Sequence, residues 1–560
     1  MGCWLDGRLP VSRQPGRQRI AEDDGRRDLQ VVIPLSQSGS LAVDRLLLDR
    51  LFLPDRVVNL CRGGDFGVRT LVHGRSLLTG RLDQPEIPDG GLIVDGAVIA
   101  AVGNAADLRQ EYVPVRELGG PDRVVIPGLV SAHQHGGGVS SVQLGCPDQP
   151  FERWMIRMLG IPPLDPYLDT LYHAVRLIEN GITATIHSHY TRDPARYGDE
   201  VEDHLRAWAY SGMRVAFAPC FLNNNQFVYE ANEAFLASLP VGLAAEAGRL
   251  LDLGPDIDTY LDLVADLRKS FNGSDRARLL LGPVAPQWCT RGALERMASE
   301  GDPARGVHTH LLESPAQRHY LDTWLGGSVV DWLDQLGFLG PAASFAHGVW
   351  LRRSEMELLA ERGACVVHNP SSNMRVRNGI APLKALRQVG VRVALGTDEM
   401  TLNDNDDLLA EARLAGILAG LTGADPAPAD LLNMATQQGA AAAGFGELTG
   451  VLAPGMRADV VLVDATRLEE PAATGDVPLL ELLVARGLGS DVRTVLVDGE
   501  IVLDERRHMW IDREALVAEL RAVVRHQASD ARWQEMSHSA ERLARAFDAY
   551  PKRVLDPLTR

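Results

Sequence analysis

The stretch VVIPGLVSAHQHGGG (Val124–Gly138) joins a run of β-branched residues, through Pro127-Gly128, to a second apolar run that ends in two histidines, His133 and His135. Val124–Ile126 read as the last part of a small β-domain, Pro127-Gly128 as the turn out of it, and Leu129–Ala132 as the first strand of a new unit. Histidines two apart on a strand project to the same side, so the pair can share one metal ion. The alternative is a pair of loop histidines satisfied by backbone hydrogen bonds. Gly136–Gly138 either let the chain turn or keep room beside a metal for a flat ring.

Downstream, short apolar runs alternate with helix-like segments. The runs end at His133, near His189, near Cys220, near Cys289, at Glu313, near His347, at Asn369 and at Asp398. Helix-like sequence follows them, as in MELLAERG (Met356–Gly363) and DDLLAEARLAGILAG (Asp406–Gly420). Eight strand–helix units predict an α/β chain whose parallel sheet is a (β/α)8, TIM-like barrel, with polar residues gathered at the C-terminal strand ends. On either side of it lie run-turn-run segments with Asp95-Gly96 and Asp498-Gly499 at the turns. They predict a small composite β-sandwich domain formed from N- and C-terminal segments. The expected division is an extension over 1–64, the first part of the β-domain over 65–127, the barrel over 128–445, the second part of the β-domain over 446–508 and a helical segment over 509–560.

The 560 residues are 23% charged and 45% hydrophobic, which fits a globular protein of several folding units. A formal net charge of -18 disfavours nucleic acid and anionic lipid as partners. The segment LAVDRLLLDRLFLP (Leu41–Pro54) is broken by four charges and reads as an amphipathic helix, not a membrane span. No apolar signal segment stands at the N-terminus, and Cys3, Cys61, Cys146, Cys220, Cys289 and Cys365 have no disulfide or thiolate-metal spacing. A cytoplasmic protein is expected.

Further chemistry-bearing residues stand at other strand ends. GVHTHLLES holds His308, His310 and Glu313; His310, nearer the strand end, is the better ligand candidate, with His308 one layer deeper. A carboxylate at Glu313 can move protons, or else serve as the acid of a helix N-terminus. SFAHGVWL ends a strand at His347, and VRVALGTDEM ends one at Asp398. Each has a structural alternative, but their joint occurrence at successive strand ends favours a catalytic site.

With these pieces in place, the sequence resembles the amidohydrolase superfamily, in particular its aminohydrolase and deaminase branch acting on heteroaromatic rings. The matching motifs are PGLVSAHQH, HTHLLE, FAHGVW, HNPSSN (His368–Asn373), GTD and LAPGMRADVVLVD (Leu452–Asp464), in the family's order. The resemblance implies that His133, His135, His310 and Asp398 bind one divalent metal, usually zinc and sometimes iron. Glu313 would shuttle a proton, His347 would orient water or polarise a ring nitrogen, and Asp398 would accept the water's proton. The implied reaction is hydrolytic deamination of a small amino-heterocycle such as a purine, pterin, pyrimidine or triazine, with cyclic-amide hydrolysis or displacement of another leaving group at the same site as the alternative. Homodimers are common in this branch.

The sequence departs from nucleoside-deaminating relatives in LLLGPVAPQWC (Leu279–Cys289) and MRVAFAPCF (Met213–Phe221), which lack their histidine and arginine, so a nucleoside or carboxylate-bearing substrate loses support. Gln287, Trp288, His189 and Asn403 are instead the candidate substrate contacts. Trp288 stacking on a ring competes with a structural role, and His187 with His189 either line the pocket or form a second metal pair. Asp406 or Asp407 is expected to cap the following helix.

Overall fold

The computed structural model describes residues 69–550, apart from 192–193, 226, 249, 251–253 and 473–474. The expected helix over 41–54 and the extension over 1–64 lie outside the described residues.

The described residues open with five strands: β1 (Thr70–Leu78), β2 (Glu86–Pro88), β3 (Gly90–Asp95), β4 (Val98–Asn104) and β5 (Arg116–Pro127). It returns to the same sheet much later with β16 (Val460–Asp464), β17 (Val492–Val497), β18 (Glu500–Asp504) and β19 (Arg507–His508). The joint is an antiparallel pairing of β16 with β5, Val460 opposite Pro127 and Val463 opposite Val124. Both hairpins form where the Asp-Gly pairs predict them. In the second, Val497 pairs with Glu500, which makes Asp498-Gly499 the turn, with φ of 53° and 75°. In the first, Asp95 itself pairs with Val98, so the turn residues are Gly96-Ala97, one position later than the dipeptide suggests.

Between the two halves of this sheet run the parallel strands β6 (Leu129–Gln134), β7 (Ile182–Ser188), β8 (Arg214–Ala218), β9 (Cys220–Phe221), β10 (Ala277–Leu279), β11 (Gly282–Pro283), β12 (Val307–Leu311), β13 (Ala343–His347), β14 (Cys365–His368) and β15 (Arg392–Leu395). They pair in the orders β10-β8-β7-β6 and β12-β13-β14-β15, with β11 on β9. The two groups meet through a parallel bridge from Leu281 to Val307 and the hydrogen bond from His310 N to the Val284 carbonyl. At the opposite edges Asp398 N donates to the carbonyl of His133 over 2.9 Å.

Two strand ends differ from expectation. The fourth strand position is split between Leu279 and Gly282; its last strand stops at Pro283, and Pro286–Trp288 form a 3-10 turn. The fifth strand stops at Leu311, since Leu312 takes φ of 50° and turns the chain before Glu313. The expected helices appear as Arg353–Glu361 and Leu408–Leu421; Asp407 caps the latter, accepting from the N–H of Leu409 and Ala410. The C-terminal helical segment is two helices, Arg513–Ser529 and Ala531–Ala549, and the second packs on helix Phe151–Met158. Among the described residues no helix is long and apolar enough to cross a membrane, and Cys146, Cys220, Cys289 and Cys365 are in no disulfide.

Candidate active site

His133, His135, His310, His347 and Asp398 converge where β6, β12, β13 and β15 end. The ligand atoms of His133, His135 and His310 all lie within 4.8 Å of one another, as do those of His133, His347 and Asp398. Asp398 Oδ1 is 3.5 Å from His133 Nε2 and 3.4 Å from His135 Nε2. Both His347 and Asp398 have positive φ, 74° and 55°, a costly backbone for residues with a Cβ that over-determined sites tolerate.

The hydrogen bonds of the outer ring nitrogens fix the tautomers. His135 Nδ1 lies 2.8 Å from the Ser188 carbonyl and His310 Nδ1 2.6 Å from the Val284 carbonyl, so in each ring Nδ1 carries the hydrogen. Their Nε2 atoms then face each other at 3.3 Å, an approach that a cation between them, or a proton on one of them, stabilises. His133 is oriented by a longer relay. Ser344 Oγ donates to the Val307 carbonyl and accepts from His308 Nδ1; His308 Nε2, 2.8 Å from His133 Nδ1, accepts in turn. His133 Nε2 is left buried and without a hydrogen-bond partner. The donor set of three imidazole nitrogens and one carboxylate oxygen therefore fits a divalent metal of the zinc type. His308 sits behind His133, as expected of the deeper residue.

The two carboxylates have opposite environments. Burial raises the pKa of Asp398, but the surrounding His133, His135 and His347 outweigh it and hold the group ionised, well below the usual carboxylate range. Glu313 is pushed well above that range by burial and by Asp398. Its Oε1 accepts from Asn378 Nδ2 at 2.7 Å, while Oε2 has no hydrogen-bond partner and lies 3.7 Å from His347 Nε2. His347 Nδ1 is 2.9 Å from Asn373 Oδ1, and burial lowers the pKa of this histidine to about 4, so the ring is neutral with Nε2 as an acceptor. Residues that push two carboxyl groups apart in this way separate an acid from a base.

The centre opens into a cavity of about 1210 Å³, counted with its mouth. Trp288 lines it, as expected. Gln287, His189 and Asn403 are not among its lining residues. Gln287, the middle residue of the 3-10 turn, is fully buried, and His189 is buried with Nδ1 accepting from Cys220 N and its ring stacked on Phe217. Asn403 is exposed, and the next residue, Asp404, turns inward to bond Ser140 Oγ and Arg375. His187 accepts from Trp208 Nε1 and belongs to no metal-sized cluster among the described residues. Sequence reasoning missed the apolar wall from helix Phe151–Met158, with Phe151, Trp154 and Met155, and the carboxylates of Asp169 and Glu399. Glu399 had a signal, since it directly follows Asp398. Asp169 had none, because a first-turn acid of a helix is ordinary.

Parallel strands alternating with helices, with a His/Asp centre at the C-terminal strand ends, are the arrangement of hydrolases of the TIM-barrel type. Residues 124–502 match the amidohydrolase family, and the chain belongs to it. It is 28% identical to a 5-methylthioadenosine/S-adenosylhomocysteine deaminase of Pelotomaculum thermopropionicum, over 80% of this chain and 96% of that one. It is 31% identical to a 5'-deoxyadenosine deaminase of Methanothermobacter thermautotrophicus, over 79% of this chain and 98% of that one. Among solved structures, an adenosine deaminase from Xanthomonas campestris with bound zinc superposes with a TM-score of 0.71 at 25% identity, covering 82% of this chain and 99% of that one.

Proposed function

We propose that the protein is a hydrolytic deaminase of a small amino-substituted heterocycle, using one divalent metal, zinc before iron, held by His133, His135, His310 and Asp398. The observation that carries this reading is the convergence of the ligand atoms of His133, His135 and His310 within 4.8 Å of one another, with Asp398 Oδ1 3.5 and 3.4 Å from the first two and Glu313 Oε2 3.7 Å from His347 Nε2. A divalent cation held by these residues would supply Lewis acidity, which lowers the pKa of a water to about 7. Asp398 takes the proton that this water gives up, and the neutral His347 accepts a hydrogen bond from the water and holds its direction. Glu313, whose pKa burial raises, would donate its proton to the ring nitrogen next to the amino-bearing carbon, take the hydroxyl proton as the carbonyl forms and pass it to the departing amine, and the proton left on Asp398 would restore Glu313. A C–O bond forms, the C–N bond breaks, and ammonia leaves. Trp288 and the wall formed by Phe151, Trp154 and Met155 offer faces on which a flat ring stacks. The relatives named for adenosine-type substrates support ring deamination.

The reading includes a closed eight-stranded barrel over 128–445, a β-sandwich built from 65–127 and 446–508, and a homodimeric, cytoplasmic enzyme. Cyclic-amide hydrolysis uses the same groups and is distinguished by the absence of ammonia.

Metal analysis followed by an ammonia-release screen over amino-heterocycles tests the proposal. Near-stoichiometric metal and ammonia from at least one ring are expected; protein purified without stoichiometric metal overturns it. Glu313→Gln should keep the metal and lose about 10²- to 10⁴-fold in kcat, whereas His310→Ala should lose the metal as well. Full activity in Glu313→Gln would remove the proton shuttle from the mechanism.

A further inference from the structure

One histidine on the cavity wall has no part in the reaction above. His204, on helix Tyr197–Ser211, lines the same cavity as His135, His310, Glu313 and Asp398. A relay that starts in the loop after His133 and His135 sets its tautomer. The hydroxyl oxygen of Thr170, a fully buried residue of helix Pro166–Glu179, lies 3.0 Å from the carbonyl oxygen of Gly136 and 2.7 Å from His204 Nδ1. A hydroxyl has one hydrogen and a carbonyl oxygen only accepts, so that hydrogen goes to Gly136 and the Thr170 oxygen accepts from Nδ1–H of His204. Burial lowers the pKa of His204 to about 3, which keeps the ring neutral. A neutral imidazole with its hydrogen on Nδ1 carries a lone pair on Nε2.

The surroundings hold this ring in place without using that lone pair. The rings of His187 and His189 stand 4.9 and 5.2 Å from it, steeply inclined at 87° and 66°. His187 commits both nitrogens to the protein, Nδ1 accepting from Trp208 Nε1 and Nε2 donating to the His135 carbonyl at 3.1 Å. Glu200, one turn before His204 and also on the cavity wall, accepts from the Thr191 hydroxyl. Nε2 of His204 has no hydrogen-bond partner among the described residues, and unlike the orphaned Nε2 of His189 it is not sealed inside the protein. The cavity is the space it opens to. An imidazole in this state accepts from an N–H or an O–H and offers nothing to a carbonyl or a carboxylate.

The geometry points to His204 as a specificity-determining residue whose Nε2 accepts a hydrogen bond from an N–H or O–H that the substrate carries apart from its leaving amino group. The class is an amino-heterocycle with a second donor, either the ring N–H of a free base or a hydroxyl of an attached sugar. This rests on the deaminase reading above and narrows it.

Three purines separate the two sources on the metal-loaded enzyme: adenine carries a ring N–H, adenosine carries hydroxyls, and 9-methyladenine carries neither. Cytosine, cytidine and 1-methylcytosine repeat the comparison on the smaller ring. A donor-bearing member should exceed its methylated counterpart by about 3- to 10-fold in kcat/KM, mostly through KM, the scale of one hydrogen bond between neutral groups. An advantage of the free base assigns the donor to the ring, and an advantage of the nucleoside assigns it to the sugar. In His204→Phe the ratio should fall to about one, and in His204→Gln, whose amide oxygen accepts, part of it should return. Thr170→Val, a buried change of nearly equal shape that releases the tautomer without touching the ligand, should also lower the ratio, and it keeps the test decisive if His204→Phe fails to fold. Equal kcat/KM for donor-bearing and methylated rings, or a preference untouched by His204→Phe or Thr170→Val, overturns the inference. If no ring releases ammonia, dissociation constants from calorimetry carry the same comparison. A His204-dependent preference in binding would then support the contact and refute the deaminase reading, and no binding by any donor-bearing ring would overturn the inference.

Discussion

At the scale of single residues, the centre depends on groups that never reach the substrate. His308 fixes the tautomer of His133 through one nitrogen and is itself fixed by Ser344 through the other. Removing it frees His133 to rotate or to turn its hydrogen toward the ligand position. His308→Ala should therefore lower metal affinity about 10- to 100-fold, measured by chelator competition, with kcat nearly restored in excess metal. An unchanged affinity would mean that packing alone holds His133. The convergent site residues were legible because strand-end histidines and acids stand in regular positions: His133, His135, His310, Glu313, His347 and Asp398 come together as the sequence suggests. The second rank was less so. The place of His308 follows from alternation along β12, but its link to Ser344 depends on register between two strands. Asn403 and Asp404 are adjacent polar residues in one loop, and only the ion pair with Arg375 decides which of them turns inward.

At the scale of elements, helix Leu408–Leu421 steadies the site from behind. Glu411 on this helix is 1% exposed and accepts from both the N–H and the hydroxyl of Ser371, whose short helix, Pro370–Arg375, carries the Asn373 that orients His347. Burial raises the pKa of Glu411 from 4.5 to about 8. Because the folded state prefers the protonated acid, the contribution of Glu411 to stability is whole below the ordinary carboxylate pKa and is lost as pH rises through about 8. Thermal unfolding midpoints should fall over that interval, and Glu411→Gln, which mimics the neutral acid, should flatten the slope. A slope identical in the variant would assign the pH dependence to other groups. Most strands and helices could be read from periodicity and turn residues. The fourth position could not, since LLLGPVAP is apolar throughout and nothing in that run marks the break between Leu279 and Gly282.

Across the whole molecule, the small sheet and the parallel strands are joined by a buried ion cluster. Arg214 of β8, with a fully buried side chain, donates to both carboxylate oxygens of Asp459, at 2.7 and 2.9 Å, and also to Asp498 in the hairpin turn. Arg214→Ala would strand the buried carboxylate of Asp459, whereas Asp498 keeps Arg276, and should cost about 3 to 5 kcal/mol, seen in denaturant unfolding, while bound metal is retained. A loss below about 1 kcal/mol would show that water reaches the cluster. The composite sheet itself was foreseeable from the two hairpins, whereas the ion cluster that joins it to the barrel strands was not, because Arg214, Asp459 and Asp498 are far apart in sequence. The pairing of β5 with β16 has a further consequence, in time and not in space. Val124 has Ser76 of β1 on one side, but on the other it finds its partner only in Val463, so during synthesis that side of β5 waits, with its backbone unpaired, until nearly all the parallel strands have been made. A newly made chain should therefore be most vulnerable to strand addition by its neighbours in that interval, which pulse proteolysis of chains arrested before and after residue 464 would reveal.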